Sequence, residues 1–102
     1  VADVTDETFE AEVLASEAPV LVDFWAPWCK PCAAIEPHLR AIAEEHGVRL
    51  VRVNVDTSLA VAARYGVLAL PTVILFSGGE PRATVHGARS RDHFERAFAA
   101  FL

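Results

Sequence analysis

Apolar residues along this chain fall in short blocks, and the spacing within each block separates strand from helix. Residues 20–26, VLVDFWA, are nearly continuous, β-branched and aromatic, which predicts a buried strand. Residues 48–55, VRLVRVNV, predict a second, and residues 72–76 a third. SGGE, at 77–80, predicts a hairpin turn that returns residues 82–86 as an antiparallel partner. Residues 2–4 predict a short strand at the start. Helical spacing appears in four other blocks. Phe9, Val13 and Leu14 mark a helix over 7–15, with Thr5 and Asp6 placed to cap it. Ile35, Leu39 and Ile42 mark a long helix with Pro31 in its first turn, Pro37 as an internal kink and Gly47 as its stop. Residues 58–64 predict a short helix ending near Gly66. Ser90 caps a last one carrying Phe94, Ala97, Phe98 and Phe101. The order β-α-β-α-β-α-β-β-α implies an α/β domain with a central mixed sheet and helices on both faces.

The length of 102 residues makes residues 1–102 a single domain, large enough for a real core. Composition narrows the function. The net charge of −5 opposes nucleic-acid binding, which calls for a basic stripe. The acidic residues are scattered, as solvated helix faces require. No apolar run reaches the ~18–20 residues of a membrane span. No basic segment followed by an apolar one opens the chain, so no signal peptide is read there.

The chemistry concentrates in WAPWCKPC, residues 25–32. Both cysteines of the chain, Cys29 and Cys32, lie here, three apart, where the long helix begins. Thiol–disulfide exchange needs a thiolate, and a helix N-terminus supplies free N–H groups and partial positive charge to stabilise one. Cys29 comes first and should attack a substrate disulfide. Cys32, one turn in, should resolve the mixed disulfide. A structural zinc site needs four ligands, and His38, His46, His86 and His93 do not stand at ligand spacing, so no metal is expected. A purely structural disulfide would close too small a loop to stabilise much. Asp23 interrupts an apolar strand. Alternation puts it on the face of Leu21 and Trp25, either turned to solvent or buried at a cost that needs a raised pKa or a partner. Lys30, the only lysine beside eight arginines, lies next to Cys29. Its charge should favour the Cys29 thiolate and make the disulfide somewhat more oxidising, although solvent screens much of the effect.

Taken together, VLVDF, WAPWCKPC, LPT at 70–72, GGE and HGA at 86–88 resemble the thioredoxin family across essentially the whole chain. The resemblance implies a thioredoxin-like fold and a protein-disulfide reductase with no organic cofactor. It also implies action on disulfide-containing proteins and reloading by an NADPH-dependent thioredoxin reductase. It further implies a cytoplasmic monomer serving redox homeostasis. By the same resemblance, Asp23 is a buried acid beneath Cys32 that manages its proton. The Leu70–Pro71 bond is cis and faces the cysteines, and the Leu70 backbone pairs with an extended substrate. Trp28, Ala69, Gly87 and Ala88 line the groove, although Gly87 also reads as a plain turn residue. Three positions depart from the family's habit. Lys30 stands where glycine is commoner. Leu68 and Ala69 make the proline flank more apolar. Arg52 replaces a lysine, and either reaches Asp23 and holds it ionised or extends to solvent. Two other classes stay open: an oxidant or isomerase using the same residues in reverse, and a docking scaffold whose thiols are incidental.

Overall fold

The computed structural model describes residues 1–102. Its elements follow the expected order. Strands β1 (Ala2–Asp3), β2 (Val20–Trp25), β3 (Arg49–Asn54), β4 (Thr72–Ser77) and β5 (Glu80–His86) form one sheet in the order β1-β3-β2-β4-β5. β1, β3 and β2 run parallel, while β4 is antiparallel to β2 and β5 to β4. The sheet is therefore mixed, with β2 at its centre. Pro81 lies on the edge strand β5 opposite Phe76, beside a register shift, where a missing N–H is tolerated.

Alternation along β2 divides the core. Val20, Val22 and Phe24 face a cluster that includes Phe9, Val13, Val61 and Phe76. Leu21 faces the opposite cluster, formed by Ile35, Leu39 and Ile42 of helix α1 (Lys30–His46) and by Phe94 and Phe98 of helix α3 (Arg91–Phe98). The first cluster also holds helix α2 (Leu59–Arg64). α1 runs unbroken through Pro37 and stops at Gly47, whose φ of 65° is the left-handed turn that glycine permits. Ser90 caps α3 by accepting the His93 N–H at 3.1 Å. α3 ends at Phe98 and tightens into a 3-10 turn, Ala99–Phe101. Arg91 of α3 pairs with Glu45 near the end of α1, and His46 lies 3.2 Å from Glu95.

The first helix departs from expectation. It is one π-helical turn, Glu10–Leu14, closed by Ala15 N–H donating to the Glu10 carbonyl at 2.8 Å. Arg49 donates to the Glu12 carbonyl at 2.8 Å, taking from outside an acceptor that a continued α-helix would use itself. The turn still buries Phe9 and Val13, and Phe9 packs on Tyr65 and Phe76. Asp6 does not cap it. Its carboxylate instead accepts the Ala60 and Val61 N–H groups at 3.2 and 2.9 Å and caps α2, where Ser58 makes no side-chain cap bond. That cap spans more than fifty residues of sequence, beyond the reach of a local motif.

Candidate redox site

β2 ends at Trp25, and the chain reaches the start of α1 through Ala26–Cys29. Cys29 is the N-cap of α1. Its Sγ accepts the Cys32 backbone N–H at 3.2 Å, so a free amide of the helix start points at this sulfur. The two cysteines form a disulfide with Cα atoms 5.3 Å apart. Cys29 is 6% exposed and Cys32 3%. Pro31 occupies the first turn, where its missing N–H costs nothing. Lys30 is exposed and makes no ion pair within the molecule.

Trp28 is 68% exposed, and its indole N–H donates to the Asp56 carboxylate at 3.0 Å. This bond ties the motif to the turn after β3. Across from it, half-buried Leu70 packs with Trp25 and Val55 against Ala26, Cys29 and Cys32. The Leu70–Pro71 peptide is cis. Pro71 is buried, and its carbonyl accepts the Gly87 N–H at 2.8 Å. The Thr72 hydroxyl donates to the Ala69 carbonyl at 2.7 Å and lies 3.1 Å from His86 Nδ1. Gly87 adopts φ +91°, so the turn reading alone explains a glycine there. Ala69 and Ala88 are exposed beside it.

Asp23 is buried, 2% exposed, which rules out the solvent-facing alternative. Its Oδ1 has no hydrogen-bond partner in the protein. Burial pushes its pKa from 3.8 up to about 7, with the Glu36 charge adding to the rise and the Arg52 charge opposing it. Arg52 is the strand neighbour of Asp23 in the β2–β3 register, yet it forms no ion pair with it. Its charge favours ionised Asp23 without forming an ion pair, and its side chain remains 21% exposed. Its guanidinium stacks 3.7 Å from the centroid of the Trp25 ring, and Nη1 lies 3.7 Å from Glu36 Oε1. A planar cation on an indole face is favourable by about 0.5–2 kcal/mol, an arrangement lysine matches poorly. Glu36 Oε1 also accepts from Arg40 Nε and Nη2 at 3.1 and 2.8 Å. A cavity of about 80 Å³ is lined by both cysteines, Trp25, Glu36 and Arg52, joining the disulfide to this charged layer.

Sequence reasoning missed Glu36 and Asp56. Glu36 stands four residues after Cys32 on the same helix, so helical spacing alone places it one turn below that cysteine. Asp56 has no local signal. It meets Trp28 only because β2 and β3 run parallel and end side by side.

A disulfide at a helix N-cap, with a buried acid on the adjoining strand, is suited to dithiol–disulfide exchange. Comparison with known proteins agrees. The family model described as thioredoxin matches residues 1–100. The thioredoxin of Streptomyces clavuligerus is 53% identical over 89 residues, covering 86% of this chain and 83% of the relative. That of Porphyra purpurea is 41% identical over 104 residues, 100% of this chain and 97% of the relative. Thioredoxin M4, chloroplastic, of Arabidopsis thaliana is 39% identical over 104 residues, 100% of this chain and 54% of the relative. The chain therefore belongs to the thioredoxin family and is a thiol–disulfide oxidoreductase of the protein-disulfide reductase type.

Proposed function

We propose that Cys29 is the nucleophile, Cys32 the resolving thiol and Asp23 the group that handles the Cys32 proton. The observation that carries this reading is the Cys32 N–H directed at Cys29 Sγ, because the same amide favours a thiolate at that atom. In the reduced protein the Cys29 thiolate attacks a substrate disulfide, forming a mixed disulfide and expelling one substrate thiolate, which takes a proton from water. Cys32 then loses its proton to Asp23 and attacks Cys29 Sγ. The intramolecular disulfide closes, the second substrate sulfur leaves as a thiolate that takes a proton from water, and two electrons have passed to the substrate. A carboxyl with a pKa of about 7 exchanges a proton readily near neutral pH, which a fully solvated aspartate does not.

Substrate docks as an added strand on the Leu70 backbone, whose N–H and carbonyl have no partner inside the molecule. Pro71 fixes that edge, and Trp28, Ala69, Gly87 and Ala88 border the groove. Leu68, 97% exposed, extends the apolar flank. The dithiol is regenerated by an NADPH-dependent thioredoxin reductase, and the protein works as a monomer. No helix is long and apolar enough to cross a membrane. We place the protein in the cytoplasm; two relatives are named as chloroplastic. Cys29→Ser should abolish insulin-type disulfide reduction, and retained activity would remove the nucleophile assignment. A double Cys→Ser variant that kept all biological activity would favour the scaffold role instead.

A further inference from the structure

We infer that Glu36 is a positioning residue that holds the Arg52 guanidinium over Trp25 and away from Asp23, leaving the buried acid without a cationic partner. The inference rests on Asp23 being the proton-handling group. Register places Arg52 directly beside Asp23 on the neighbouring strand. Two opposite charges on adjacent strands of one sheet face would ordinarily pair. Here other groups take the guanidinium. Glu36 lies 3.7 Å from Nη1, the Trp25 ring takes the guanidinium face, and Nε remains buried without a partner. Glu36 is fixed in turn by the two donors of Arg40 one turn along α1. Asp23 Oδ1 and Trp25 Nε1 are the other two unpartnered buried atoms. Two buried polar atoms on neighbouring residues, each without a bond, are the expected cost of keeping that pair apart.

The consequence is functional. An Asp23 paired to arginine would stay ionised at every working pH, could accept a proton only weakly, and would serve poorly as a base for Cys32. Few groups can set its titration. β3 contributes Arg52, α1 contributes Glu36 and the cysteine pair, and the β4 neighbour is the uncharged Val73. In the disulfide form the cysteines do not titrate.

The test is a carbon-13 NMR titration of the Asp23 carboxyl in the oxidised protein, for wild type, Glu36→Gln, Arg52→Gln and the double variant. Removing Glu36 lowers the midpoint in two ways: its own negative charge is lost, and Arg52 is released toward Asp23. The double-mutant cycle separates them. Glu36→Gln should lower the Asp23 midpoint by about one unit, a tenfold change in proton affinity. In the Arg52→Gln background the same substitution should lower it by less than half as much. No fall, or a fall that keeps half or more of its size without Arg52, overturns the inference. Failure of the parent reading looks different. In that case Asp23→Asn leaves mixed-disulfide resolution unchanged while these midpoints still move.

Discussion

Asp23 concentrates the site's energetic tension in one side chain. A carboxyl whose folded pKa lies above its unfolded value favours folding most at low pH, where both states hold the proton. Between 3.8 and about 7 the unfolded chain releases that proton while the folded one retains it, so stability falls across this window and levels off above it. Three units at about 1.4 kcal/mol each put the loss on the order of 4 kcal/mol. Oxidised Asp23→Asn should therefore resist urea better than wild type at pH 8 by a few kcal/mol, and the gap should close toward pH 4. Equal stability at both pH values would mean that the acid is hydrated in the folded state. Lys30 is exposed and unpaired, so the influence expected of its charge on Cys29 is weaker. Lys30→Gly should raise the Cys29 pKa of the reduced protein by a few tenths of a unit, read by thiolate absorbance. An unmoved titration would mean that the ammonium points away. Residue identity suggested that Asp23 mattered. It could not show where Arg52 goes, because that is decided by Trp25 and Glu36 on two other elements.

Elements were more legible than contacts. The β-branched runs of β2, β3 and β4 and the capped ends of α1 and α3 follow local rules, and the structure places them within about two residues of expectation. The π-helical turn does not follow such rules. Arg49 from β3 donates to its Glu12 carbonyl, and Asp6 leaves its own helix to cap α2. The SGGE turn joins both kinds of information. Gly78 and Gly79 have φ of 64° and 78°, as a two-residue hairpin of this twist requires. A Cβ on Gly79 would also meet the Leu14 carbonyl at 2.9 Å, a contact no local pattern reveals. Gly79→Ala should thus cost about 1–3 kcal/mol. For a domain of this size that lowers Tm by about 4–8 °C per kcal/mol. An unchanged Tm would mean that the hairpin shifts off the π-helical turn without penalty.

Across the whole molecule, three separate sheet connections converge on one sulfur pair. The end of β2 delivers the motif, the turn after β3 anchors Trp28 through Asp56, and the approach to β4 brings Leu70 against the cysteines. The spacing of Cys29 and Cys32 and the helix that follows them made the exchange chemistry legible in the sequence. The register of five strands, which assembles the remainder, was not. The proposed chemistry rests on a division of labour: Cys29 attacks from the helix cap, and Cys32 closes the ring behind it. The most direct measurement is mass spectrometry of the complex trapped by reduced Cys32→Ser with a disulfide-bonded protein substrate. The expected product is a stable mixed disulfide through Cys29, dissociated by dithiothreitol and absent from a Cys29→Ser variant treated in the same way. A covalent complex formed through Cys32 by Cys29→Ser, with none formed by Cys32→Ser, would contradict it.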